Sequence, residues 1–237
     1  MIISEDQLRR ECAQLGLEPD RTAVERFDRY AQLLIEWNQK INLTAITQPE
    51  QIVTRHFVDS LTFFSAADPA HGARLIDVGS GAGFPGLPLK ILREDLSVTL
   101  LDGTGKRVRF LQEAASELGL TITAVHARAE DAAKDPQHRE RYDFATARAV
   151  AALRELSEYC LGFVRPGGAF VAMKGPDAQE EIAAARHAVA VMGGEIGTVL
   201  QKTLSDGSGR TLVDIKKRSQ TPTSYPRCSA KITKKPL

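Results

Sequence analysis

From Arg74 onwards the chain alternates short apolar runs with stretches of helical periodicity, and few folds accommodate that alternation. The runs cover residues 75–78, 98–101, 122–125, 144–147 and 169–173. Helical patterns lie between them, for example over 106–118 and 151–163. Strand, helix, strand, helix is the order that builds a parallel sheet covered on both faces. The rhythm then changes. Residues 197–204 and 210–217 are strand-like, and Ser205-Asp206-Gly207-Ser208-Gly209 between them reads as a hairpin turn. The expectation is an α/β fold with a doubly wound, mostly parallel, seven-stranded sheet that ends in an antiparallel hairpin.

The first 70 residues have a different texture and read as a helical extension. Ser4-Glu5-Asp6-Gln7 has the form of a capping box, with Gly16 as the stop of the helix it opens. Thr22-Ala23-Val24-Glu25 is a second such box, and a third helix is expected from Pro49, an allowed first-turn proline. Asp68-Pro69-Ala70-His71-Gly72 breaks the pattern. The expected divisions are a helical extension over 1–70, a ligand-binding α/β domain over 71–218 and a basic tail over 219–237.

Cys12, Cys160 and Cys228 are odd in number and far apart, which argues against a disulfide framework and against a metal site. No apolar run reaches membrane-spanning length and the first residues do not resemble a secretion signal, so a cytoplasmic protein without a membrane partner is expected. The net charge is only +1, yet from Lys216 to the end there are seven cations and no acid. Such a tail suits a phosphate backbone or is simply solvated.

The first strand of the sheet runs into Asp77-Val78-Gly79-Ser80-Gly81-Ala82-Gly83-Phe84-Pro85-Gly86. Glycines allow a tight turn and let a ligand approach the main chain beyond the carboxyl ends of the strands. Two spacings coexist. Gly79, Gly81 and Gly83 form the GxGxG turn of methyltransferases, whereas Gly81, Gly83 and Gly86 satisfy the dinucleotide fingerprint GxGxxG. Asp102, roughly 20 residues further on, suits a ribose diol in either case. Three features favour S-adenosylmethionine. Asp77 is placed to face the ammonium of its methionine part. Pro85 removes an N–H that a pyrophosphate would use. The terminal hairpin is foreign to the usual dinucleotide domain. Ala129 and Glu130 follow the third strand, where a methyltransferase holds adenine, and Arg148 lies just past the fourth, at the mouth of the crevice.

Several segments taken together resemble one family. They are Trp37-Asn38-Gln39-Lys40-Ile41-Asn42-Leu43-Thr44, Arg55-His56-Phe57-Val58-Asp59-Ser60-Leu61, the stretch from Asp77 to Leu89, Leu101-Asp102, Ala147-Arg148-Ala149-Val150-Ala151, Lys174-Gly175 and Tyr225-Pro226-Arg227. In this order they are similar to the bacterial RsmG (GidB) family of small-subunit ribosomal RNA guanine-N7 methyltransferases. The resemblance implies a class I, Rossmann-like methyltransferase fold with an N-terminal helical extension. It also implies S-adenosyl-L-methionine as cofactor and small-subunit (16S) rRNA, free or in the ribosomal particle, as partner, with no obligate protein partner evident. Cofactor contacts map onto Gly79, Phe84, Ala129, Glu130 and Arg148, with Asp102 as the ribose partner. The family's polar positions around the crevice fall on Arg55, His56, Arg148 and Lys174, which become RNA-facing candidates with Asn42, Tyr225 and Arg227. Two positions depart from the family pattern: Gly103 follows Asp102 where serine is common, and Ala230 stands where a glycine is usual.

Guanine N7 carries an in-plane lone pair and no proton, so its methylation needs no general base, and no catalytic residue is nominated. Alignment and exclusion of water are the expected contributions of the protein. From spacing alone His56 reads first as a helix residue bonded to a neighbouring carboxylate, Asn42 equally as a helix end or a contact, and Trp37 as filler of the seam between extension and sheet rather than a base-stacking residue. The alternatives are a methyltransferase of another substrate, a nucleotide-dependent oxidoreductase, or a catalytically inactive rRNA-binding assembly protein.

Overall fold

A computed structural model describes residues 1–237. Seven strands form one sheet: β1 (Arg74–Val78), β2 (Ser97–Asp102), β3 (Thr123–His126), β4 (Tyr142–Arg148), β5 (Val164–Lys174), β6 (Gly194–Thr203) and β7 (Gly209–Lys217). Their order is β3-β2-β1-β4-β5-β7-β6, with β1 to β5 parallel and β7 antiparallel to both of its neighbours. The order reverses between β1 and β4, and the crevice at such a switch point is where open α/β sheets bind ligands.

The helices are α1 (Glu5–Ala13), α2 (Arg21–Asn38), α3 (Pro49–Ile52), α4 (Asp59–Leu61), α5 (Phe63–Ala66), α6 (Gly86–Leu92), α7 (Gly105–Glu117), α8 (Ala129–Ala132), α9 (Leu153–Cys160), α10 (Gln179–Val191) and α11 (Ser229–Lys234). Successive strand residues face opposite sides of the sheet. In β1, Leu75 therefore enters a core shared with α1, α2, α6 and α7, and Ile76 enters one shared with α9, α10 and α11. The helical extension belongs to the first of these cores. Phe27 and Tyr30 of α2 pack on Phe57 with ring centroids 4.9 and 5.5 Å apart.

Two local expectations are corrected. The cap of α2 is Asp20, not Thr22, and its carboxylate accepts from the Ala23 N–H at 2.7 Å. The helix starts two residues sooner than the Thr22–Glu25 box implies, and the Asp20 carboxylate serves the N–H three residues on, that of Ala23. The third helix is also not continuous. Val53–Val58 is a π-helical segment between α3 and α4, and such single-turn insertions frequently occur at functional sites.

Candidate active site

The chain leaves β1 with three glycines in left-handed conformations, Gly79 at φ +75°, Gly81 at +57° and Gly83 at +95°. Gly83 meets a second constraint, because a Cβ there would lie 2.6 Å from the Tyr30 hydroxyl. That hydroxyl donates to the carbonyl of Ala82. The helical extension thus holds the turn in place.

Asp77 lies fully buried beneath the turn. Its Oδ2 accepts from the Gly86 N–H at 2.9 Å at the start of α6, and its Oδ1 has no partner. Burial pushes its pKa up to about 7. The carboxylate expected to face an ammonium in the crevice is instead sealed in as a brace for the turn. A buried carboxylate needs donors, and the first turn of α6 offers one. Asp102, also buried, ends β2 between two residues that line the cavity, Leu101 and Gly103. Its Oδ2 accepts from Gly81 N–H at 2.9 Å and its Oδ1 from Thr104 N–H at 2.8 Å. A carboxylate has about four acceptor positions, so about two are left for another donor.

Beyond these strand ends opens a cavity of about 340 Å³. Val78, Gly79, Leu101, Ala129, Glu130, Val150 and Tyr159 are among the residues that line it. A Cβ on Gly79 would sit 2.8 Å from Val150 Cγ2, so a glycine is needed there on space as well as on φ.

A second cavity of about 350 Å³ is lined mainly by polar residues and includes Arg148 and Ala149, which directly precede the Val150 of the first cavity. Arg55, His56, Asp59, Arg148, Lys174 and Arg210 line it. Asp59 is held between two guanidinium groups, Arg148 at 3.0 Å and Arg210 at 2.9 Å. Arg148 also sits 5.0 Å from the Phe84 ring centroid and donates to the carbonyl of Arg55 at 3.3 Å. His56 stacks on Phe84 at 4.4 Å, and its Nε2 lies 2.8 Å from Thr44 Oγ1. Burial, with the positive charge of Arg148 beside it, lowers the His56 pKa to about 3 and keeps the ring neutral. Lys174 Nζ lies 2.6 Å from Glu181 and donates to the carbonyl of Ala151 at 2.9 Å. Arg55 pairs with Asp206 in the hairpin at 2.7 Å.

The sequence candidates therefore separate into groups. Gly79, Ala129 and Glu130 line the first cavity, while Gly81, Gly83, Phe84 and Asp102 build the turn beside it. Arg55, His56, Arg148 and Lys174 line the second. Asn42 stands apart in a shallow groove of about 380 Å³ with Lys40, Lys106 and Arg107. Tyr225 and Arg227 belong to neither cavity. Arg227 makes a paired contact with the buried Glu158, Nη2 to Oε2 at 2.7 Å and Nε to Oε1 at 2.9 Å. Trp37 fills the seam, edge-on to Phe110 at 5.6 Å, with its N–H donated to Glu113. The residues that sequence reasoning missed are Arg210, which comes from the hairpin, and Ser229 and Thr233 of the tail, which line the first cavity. Nothing local marks them, because they reach the site only through folding of the C-terminal third.

Residues 23–207 match the family described as rRNA small subunit methyltransferase G (GidB). Curated relatives named ribosomal RNA small subunit methyltransferase G include that of Alkaliphilus metalliredigens, 46% identical over 229 residues and 95% of each chain. That of Desulforamulus reducens is 48% identical over 213 residues and 89% of each chain. Among solved structures, M. jannaschii TYW2 in complex with AdoMet gives a TM-score of 0.53 at 14% identity over 67% of this chain and 75% of that one. A predicted O-methyltransferase from Agrobacterium tumefaciens gives 0.54 at 20% identity over 68% and 81%. These two establish the Rossmann-like methyltransferase fold, and the extent of the sequence match establishes more: the chain belongs to the rRNA small subunit methyltransferase G (GidB) family.

Proposed function

We propose that the two cavities divide one reaction, the first holding the cofactor and the second seating a guanine of the RNA. As a member of its family, the chain is an S-adenosylmethionine-dependent methyltransferase of small-subunit (16S) rRNA. The observation that carries the division of labour is their adjacency: Arg148 and Ala149 line the second cavity, and the next two residues, Val150 and Ala151, line the first.

The first cavity fits the cofactor. Its volume lies within the usual range for small-ligand sites. Asp102 keeps acceptor positions for a ribose diol, and Leu101, Ala127 and Ala129 offer an apolar wall for a flat base. Gly81 leaves open space above the turn, where a Cβ would meet nothing closer than 3.9 Å. When bound, S-adenosylmethionine supplies an electrophilic methyl group.

The second cavity suits a guanine attacking through N7 in an in-line displacement. Guanine O6 and N7 are acceptors. A cation donating to O6 or to a neighbouring phosphate orients the base and leaves the N7 lone pair free. Asp59 already offsets the charge of Arg148, which limits repulsion of a base that becomes cationic. His56 is neutral and flat against Phe84, so it contributes a surface rather than a proton. Single-stranded phosphates would continue along the groove of Lys40, Lys106 and Arg107. No helix is long and apolar enough to cross a membrane, and we place the reaction in the cytoplasm, on rRNA alone or within the small-subunit particle.

The test is transfer of labelled methyl from S-adenosylmethionine to 16S rRNA and to small-subunit particles that lack the modification, followed by mass-spectrometric mapping. One 7-methylguanine is expected. Absence of transfer to both substrates, or label at another atom, overturns the proposal.

A further inference from the structure

The last residues of the chain fold back onto the domain. Arg139 donates to the carbonyls of Thr221 at 2.7 Å and Tyr225 at 2.9 Å. Arg227 is locked to Glu158, and Arg154 donates to the carbonyls of Pro236 at 2.9 Å and Leu237 at 2.7 Å. Between these latches, α11 drops Ile232, fully buried, into the same core as Tyr159. Ile232 fixes the rotation of the helix. Ser229 and Thr233 are four residues apart, on one face, and both line the cavity that Gly79 and Glu130 line from the other side. Ser229 Oγ lies 3.3 Å from the hydroxyl of Tyr159.

We propose that α11 is the outer wall of the cofactor cavity and that Ser229 and Thr233 contact the adenosine half of S-adenosylmethionine. This rests on the assignment of that cavity to the cofactor. A small-molecule site ordinarily buries most of its ligand's surface. The strand ends and the glycine turn supply only part of the cavity's lining, and Ser229 and Thr233 belong to the rest. These two come from a segment that has no part in the sheet. The two parts differ chemically in a way that suits adenosine: Leu101 and Ala129 are apolar, whereas α11 presents two hydroxyl groups. Small side chains at 229 and 233 leave the volume free, and the three latches hold the wall at a fixed distance.

Hydrogen exchange of the full chain, with and without saturating S-adenosylmethionine, tests this directly. Slowed exchange is expected at 79–83, at 127–130 and also at 229–234. Slowing at the first two segments without slowing at 229–234 overturns the proposal. No slowing at any of the three overturns the assignment of the cavity itself. Calorimetric titration of S-adenosylmethionine into Ser229→Trp and Thr233→Trp supplies a second readout. Each indole would occupy the cavity, and a Kd at least tenfold above that of the unaltered chain is expected. Unchanged affinity in both variants overturns the wall, and Asp102→Ala serves as the control that reports on the cavity.

Discussion

His56 is enclosed by Phe84, Thr44 and Arg148, and its environment fixes its charge. The folded ring holds no proton until about pH 3, whereas an unfolded histidine takes one up near 6.5. Between those values the unfolded chain binds the extra proton, so this group's contribution to stability is present above pH 6.5 and is lost as pH falls towards 3. The ring-proton NMR shifts of His56 should stay constant from pH 5 to pH 8, and a titration midpoint near 6.5 would show that the ring is not enclosed. Asp77 has the opposite sign. Its folded pKa of about 7 lies above the ordinary 3.8, so here the folded chain binds the extra proton, and stability falls as pH rises from about 4 to about 7. Asp77→Asn keeps an acceptor for the Gly86 N–H and removes the titration. Relative to the unaltered chain, the variant should gain stability with rising pH, by up to about 1.4 kcal/mol per pH unit. Denaturant unfolding across that range measures it, and a flat difference would sink the idea.

At the scale of elements, the central strands were readable because burial on both faces imposes continuous apolar runs. Residues 98–101 and 144–147 each fell inside the observed β2 and β4. The glycine turn was readable for a different reason, since positive φ demands glycine at 79, 81 and 83. What could not be read was the orientation of single groups. Asp77 looked available and is sealed, because its environment is set by α6 packing over it. The π-helical segment was missed because one inserted residue barely disturbs helical periodicity, yet it sits where Arg55 and His56 meet the second cavity. The tail was read from its charges, which told nothing about Ile232 or about the Glu158 awaiting Arg227 inside α9. Arg227→Ala would leave Glu158 buried without its cation. Removing one partner of a buried pair typically costs about 3 kcal/mol or more, and a thermal unfolding scan should show a clear loss of stability. An unchanged midpoint would mean that the pair does not hold the tail.

Over the whole molecule, a net charge of +1 conceals an uneven surface. Cations near the second cavity are already engaged by acids, Arg148 and Arg210 sharing the single carboxylate of Asp59 and Lys174 paired with Glu181. Lys40 and Lys106, in the separate groove that holds Asn42, are exposed and make no ion pair. They are the better candidates for phosphate contacts than the paired residues. Lys40→Ala and Lys106→Ala should each weaken rRNA binding and lower the slope of log K against log salt by about 0.7–0.9. Identical slopes in both variants would remove the groove from the RNA path. One further consequence follows from Tyr30 and Phe84. The Tyr30 hydroxyl grips the carbonyl of Ala82, and two residues later Phe84 forms the floor under His56. On the proposed assignment, one stretch of backbone, residues 80–84, borders both the cofactor cavity and the pocket for the base. A ligand that stiffens this stretch in one site would then alter affinity at the other, and thermodynamic reciprocity would make the effect equal in both directions. Communication between nucleotide and nucleic acid then needs no moving domain, only a five-residue hinge that both ligands press upon.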